Sequence, residues 1–173
     1  AYHPNMEIRN IFLTQIMVII LMKTVSENGE ALEKFCNALK DGNSEVVEQS
    51  LNNYLKRTIS IRDTFVKKQM KENFYHGILL GILGFQQNWS VSSNKESGDG
   101  YSDILIETED QETGIIIEIK YAETGNLEAV SEDALKQIED RRYEEQLLEE
   151  GVEHILKYGI AFYKKKCKVM VVK

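Results

Sequence analysis

A run of isoleucines from Ile115 to Ile119 is interrupted by Glu118 and followed by Lys120. In an extended chain side chains alternate, so Ile116, Glu118 and Lys120 share one face while Ile115, Ile117, Ile119 and Tyr121 share the other. Asp103 lies in a second alternating stretch, which can pair with the first as a hairpin and bring a second carboxylate to the same spot. Two carboxylates and an ammonium converging on one sheet edge suit phosphodiester hydrolysis. The carboxylates concentrate negative charge that a hard divalent cation neutralises. Such a cation lowers the pKa of bound water and stabilises charge developing on phosphate oxygens. A lysine beside it orients the attacking water or stabilises the pentavalent state. The backbone carbonyl of Ile119, between the two charged residues, is a further candidate ligand. A bare Glu-x-Lys on a strand is more often a cross-strand ion pair on a half-solvated sheet, so the surrounding elements carry weight.

The first half of the chain reads helical. An apolar stripe runs from Asn5 to Lys23, and helices are expected over Glu27 to Leu39 and Ser44 to Arg57, separated by Asp41-Gly42-Asn43. Ile59 to Gln69 starts or joins another helix, and Glu72 to Phe85 has helical spacing with a wide apolar face. The period then changes. Strands are expected at Trp89 to Ser93, Tyr101 to Thr108 and Gly114 to Tyr121, with a polar turn at Asp110 to Gly114. A long helix is expected from Ser131 to Glu149, ended by Gly151. Ile160 to Tyr163 and Val169 to Val172 read as a closing pair of strands, with the lysines between them as the turn. The Ile115, Ile117, Ile119 and Tyr121 face is expected to pack on the long helix, leaving Glu118 and Lys120 on the other side.

The chain has 173 residues, 42% hydrophobic and 28% charged, a composition ordinary for a globular protein with a sizeable core. Its net charge of -7 argues against a strong non-specific grip on nucleic acid. The charge is uneven, however. Basic residues gather at Lys56, Arg57, Arg62, Lys67, Lys68 and Lys71, and again from Lys157 to Lys173, while Glu128 to Glu150 is acidic. Each basic run is either a local basic surface or a solvated face. Cys36 and Cys167 match no metal spacing and read as free thiols of a reducing cytoplasm. Three scattered histidines make a structural zinc site an unsuitable reading. The apolar run Ile11 to Met22 is shorter than the roughly 18 residues a membrane span needs, so no membrane is implied. It reads as a buried or partner-covered helix, able to drive homo-oligomer formation. The chain does not begin with Met, and a fragment of a longer protein is the expectation.

The stretch Ser93-Asn-Lys-Glu-Ser-Gly-Asp-Gly-Tyr-Ser-Asp103-Ile-Leu-Ile, followed by Ile115-Ile-Ile-Glu118-Ile-Lys120-Tyr-Ala, resembles the PD-(D/E)xK nuclease superfamily. In particular it is similar to the nuclease-like domain at the C-terminus of bacterial AAA-type ATPase-like proteins. Three further pieces match in order: Glu72-Asn-Phe-Tyr75-His76-Gly, Ala134-Leu-Lys-Gln137-Ile with Tyr143 beyond it, and Tyr158-Gly-Ile-Ala-Phe162. Together they cover about residues 70 to 170. Asn5-Met-Glu7-Ile-Arg9 also resembles the segment that ends the ATPase-like domain of that family.

The resemblance implies an α/β fold with a restriction-endonuclease-like core, helix-β-β-β-helix-β-β, over residues 70–173. An N-terminal helical segment, 1–69, would contain the tail of an ATPase-like domain. It implies a nuclease acting on nucleic acid, DNA by expectation, with Mg2+ or Mn2+ as cofactor and an ATPase-like domain of the same full-length protein as partner. Asp103 and Glu118 would be metal ligands, with Lys120 the catalytic lysine. Glu96 would be an accessory acid, and Gln137 would reach the site from the long helix. His76 would line the site, and Glu72, one turn earlier on the same helix face, either orients His76 or is a solvated first-turn acid. Two features depart from the pattern: Ser102 stands where the superfamily's name has proline, and Arg141 stands four residues after Gln137, where related nucleases place the tyrosine found here at Tyr143. The alternative function is a catalytically silent module of the same fold that binds nucleic acid or a protein partner.

Overall fold

Asp41, Gly42 and Asn43 end one helix and start the next. The chain leaves α1 (Gly29–Lys40) through Gly42, whose φ of +73° suits a residue without a Cβ, and Asn43 N–H closes back onto the Ala38 carbonyl at 2.9 Å. Asn43 then caps α2 (Ser44–Thr58), its side-chain oxygen accepting from the Val46 N–H at 3.1 Å. The computed structural model describes residues 29–59, 68–97 and 100–173, without the side chains of 68–70, 94–97, 100–102 and 146. The expected helix over Asn5 to Lys23, and the stretch joining α2 to the next helix, lie outside the described residues.

After α3 (Lys68–Leu83) come β1 (Ser90–Ser97), β2 (Gly100–Glu107) and β3 (Thr113–Tyr121), then α4 (Leu127–Asp140) and the short α5 (Glu145–Glu149). The chain closes with β4 (His154–Tyr163) and β5 (Lys166–Val172). The five strands form one sheet in the order β1-β2-β3-β4-β5. Every neighbouring pair is antiparallel except β3 and β4, which run parallel because α4 and α5 carry the chain back between them. This is the helix-β-β-β-helix-β-β order expected, an α/β fold consistent with a restriction-endonuclease-like core. Among the described residues no helix is long and apolar enough to cross a membrane.

β3 is covered on both faces, which is why it reads as a nearly continuous apolar run. Ile115, Ile117, Ile119 and Tyr121 join Leu39, Leu51, Tyr75 and Leu79 of α1, α2 and α3 in the larger cluster. Ile116 joins Leu105, Ile138, Tyr143 and Leu147 under α4 and α5. The expected faces are therefore exchanged: the side carrying Glu118 and Lys120 lies beneath the long helix, and the four-residue apolar side packs on the N-terminal helices. Alternation separates the two faces but cannot say which helix covers which when both are buried.

The single helix expected from Ser131 to Glu149 is also corrected. α4 begins earlier, at the Asn126 cap, and stops at Asp140. A turn over 141–144 follows, with Arg142 at φ +52°, before α5. Continuing the helix from Ile138 would turn Arg141, Arg142 and Glu145 toward the sheet. The turn buries Tyr143 instead, its N–H bonding the Ile138 carbonyl at 3.3 Å. The closing strands run longer than expected, and only Lys164 and Lys165 form their turn.

β5 is an edge strand, and α2 satisfies part of its open edge. Asn52 donates to the Cys167 carbonyl at 3.1 Å and accepts from the Cys167 N–H at 2.9 Å, and Glu48 accepts from the Val169 N–H at 3.0 Å.

Candidate active site

The site begins where the ladder between β2 and β3 stops. Paired residues end at Ile104 and Ile117. Beyond them, the N–H groups on that edge of β3 belong to Ile119 and Tyr121, and carboxylates replace the missing strand. Asp103 Oδ2 accepts from the Ile119 N–H at 2.7 Å, and Glu72 Oε1, from α3, accepts from the Tyr121 N–H at 3.1 Å. The Asp103 carbonyl is 2.9 Å from His76 Nε2. A carbonyl can only accept, so the ring proton sits on Nε2. Ser93 Oγ lies 3.2 Å from the same nitrogen. Glu72 and His76 thus tie α3 to the mouth of the fork. In a strand a residue's N–H and C=O share an edge, so the Ile119 carbonyl also points toward this opening.

Glu118 is only 4% exposed. Its Oε1 accepts a close hydrogen bond from the Gln137 amide, and Gln137 Oε1 accepts from Lys120 Nζ at 2.6 Å. One glutamine from α4 therefore bridges the carboxylate and the ammonium two residues apart on β3. The other oxygen of Glu118, Oε2, is buried with no hydrogen-bond partner among the described residues. An unpaired buried carboxylate oxygen is costly and calls for an explanation such as an ion.

The electrostatics agree with that cost. Burial, reinforced by the neighbouring Asp103 carboxylate and opposed by Lys120, pushes Glu118 up to about 8. Burial also raises Asp103, against the Ile119 N–H that favours its charged form. Without a cation, Glu118 holds a proton at neutral pH. The unfolded chain loses that proton near the usual 4.5 whereas the folded protein keeps it to about 8, so stability falls as pH rises across that window. In chelator, urea midpoints of the parent should decline from pH 5 to pH 8 more steeply than those of Glu118→Gln. Parallel curves for the two proteins would contradict this.

Tyr143 completes the network. It is 2% exposed and its hydroxyl bonds Gln137, which works against the upward push of burial on the phenol. The turn after α4 brings the ring, six residues beyond Gln137, back to that glutamine. The approach of α4 to the sheet depends on Gly159, directly opposite Glu118 on β4. A Cβ there would lie 2.3 Å from the Ser131 carbonyl oxygen and 2.9 Å from both Leu135 N and Cγ.

Of the residues expected at a site, the structure brings together Asp103, Glu118, Lys120, Gln137 and Tyr143, with Ile119, Glu72 and His76 at the fork. Glu96 is on β1 opposite Tyr101, and its side chain lies outside what is described. Sequence reasoning missed the roles of Gly159 and Ser93. A glycine inside an apolar strand is a signal for the first, and nothing in the sequence marks the second. Among the described residues, no three His, Cys, Asp or Glu side chains gather as in a closed metal cage. A carboxylate pair with an orphaned oxygen fits a hard cation that keeps water ligands. A family model described as the PD-(D/E)XK nuclease superfamily matches residues 70–172. No curated protein matches the chain.

Proposed function

The chain belongs to the PD-(D/E)XK nuclease superfamily, and we propose that it hydrolyses phosphodiester bonds of nucleic acid with a divalent metal held by Asp103 and Glu118. Nucleases of this superfamily generally use divalent metals such as Mg2+. The observation that carries the proposal is the orphaned Oε2 of Glu118 beside Asp103, with Lys120 held next to it through Gln137. When bound, the metal supplies an activated water and neutralises charge on the phosphate. The chain's own residues do the rest. Asp103 is fixed in place by the Ile119 N–H. Gln137 fixes the Glu118 carboxylate and the Lys120 ammonium relative to each other, and Tyr143 fixes Gln137. Lys120 offers hydrogen bonds to the phosphate oxygens that gain charge. The Ile119 carbonyl and Glu96 are proposed as further contributors at the metal.

DNA is the proposed substrate and Mg2+ or Mn2+ the proposed metal, in the cytoplasm. The likeness of residues 5–9 to the segment closing ATPase-like domains supports such a domain as the partner, with 1–69 as the connecting helical segment and 70–173 as the nuclease unit. Self-association through the N-terminal helices is a further part of this reading.

The test is cleavage of single- and double-stranded DNA and RNA in Mg2+, Mn2+ or chelator, with Lys120→Ala beside the parent. Cleavage should need metal, and the variant should be slower by about 10^2–10^3-fold. A parent that cleaves none of the four substrates, or a variant as fast as the parent, would overturn the proposal in favour of a silent binding module.

A further inference from the structure

Lys56, from the first basic run of the sequence, and the lysines of the second run meet in space. β3 and β4 are parallel, so the β4–β5 turn lies at the end of the sheet where β3 delivers Lys120. Lys165 Nζ, from that turn, reaches the carbonyl of Lys56 in the last turn of α2 at 3.1 Å. Lys56 and Lys166 line one groove of about 680 Å³ between α2 and β5. Lys168 lines it too but is spent on Glu48 at 3.3 Å, whereas no described carboxylate pairs with Lys56, Lys165 or Lys166. Glu45 is at the other end of α2, so the uncompensated charge concentrates near the turn. Lys164 adds a second observation. It sits at φ +53° in a two-residue hairpin turn, a conformation that favours glycine or asparagine. Its ammonium rests 4.9 Å from the centroid of the Tyr163 ring, at the same end of the sheet.

We propose that Lys164, Lys165 and Lys166 of the β4–β5 turn, with Lys56 of α2, form a phosphate-backbone track that continues from Lys120 and holds the nucleic-acid strand flanking the scissile phosphate. The proposal rests on the nucleic-acid reading above and adds where the strand runs. The partner is a polyanion with regularly spaced phosphates. The same row across the sheet joins Lys120 to Ala161 and Lys168, a span of about 10 Å for two strand spacings, and Lys166 lies two residues, about 7 Å, further along β5, so site and track are within reach of a few nucleotides.

The test is fluorescence anisotropy of labelled single-stranded and duplex DNA against salt, in chelator so that nothing is cut. The parent is compared with the double variant Lys165→Ser/Lys166→Ser and with a control, Lys34→Ser/Lys136→Ser, on exposed faces of α1 and α4. Circular dichroism verifies that each is folded. The track variant should bind about tenfold more weakly at low salt, and its log–log salt slope should be shallower by about 2, close to one per lost phosphate contact. The control should bind as the parent does. A track variant with the parent's affinity and slope, or a control weakened equally, would overturn the track while leaving the nuclease reading in place if the parent cleaves DNA in metal. A parent that neither binds nor cleaves nucleic acid overturns both.

Discussion

Glu118→Gln should lower metal-dependent cleavage by at least about 10^3-fold, or some 4 kcal/mol of transition-state stabilisation, while leaving the domain folded. Glutamine has the size of the glutamate it replaces, and Glu118 already holds its proton at neutral pH without metal. Nothing in the packing of β3 therefore changes at pH 7, and stability in chelator should equal or slightly exceed the parent's. What is lost is the ability to give up a proton and present an anionic oxygen. A fold defect and a chemical defect are separable here, because the variant should melt with the parent in chelator. Metal should raise the parent's melting temperature and not the variant's. Cleavage within tenfold of the parent would remove Glu118 from the metal site.

Gly159→Ala should be strongly destabilising. The added carbon would meet the Ser131 carbonyl oxygen at 2.3 Å and the Leu135 backbone nitrogen at 2.9 Å. Both are main-chain atoms of α4, so no rotamer change relieves the clash and the helix has to lift from the sheet. Overpacking of this kind costs about 3 kcal/mol or more, which in a chain of this size lowers Tm by roughly 6–12 °C. The function suffers with the fold, since α4 carries Gln137 and a displacement near 1 Å can cost about 10^2-fold in rate. Gly77→Ala is the opposite case. Gly77 lies inside α3, and a Cβ there meets nothing within 4 Å. That substitution should stabilise by about 0.5–1 kcal/mol. Calorimetry that finds both variants shifted in the same direction would contradict the packing of α4 on Gly159.

The convergence of Asp103, Glu118 and Lys120 was legible because polar side chains in an isoleucine strand stand out, and because the hairpin between β2 and β3 follows from its short polar turn. Gln137 was reached through the family resemblance, and no spacing within the helix would single it out. The faces of β3 were exchanged because both are buried, leaving alternation with no exposed side to orient it. The long helix was read through its break because Ala134, Ile138 and Leu147 look periodic until Tyr143 is known to be buried between them. Glu72 and His76 at the fork depend on where β2 parts from β3, a tertiary event that local pattern does not encode.

The most direct measurement is calorimetric titration of Mn2+ into metal-free protein at pH 7, repeated in two buffers of different ionisation enthalpy. Asp103 and Glu118 as a cation site predict bound metal and, because Glu118 is held protonated to about 8, release of nearly one proton per ion, both lost in Glu118→Gln. Absence of Mn2+ uptake by the parent, or uptake unchanged in the variant, would contradict the account.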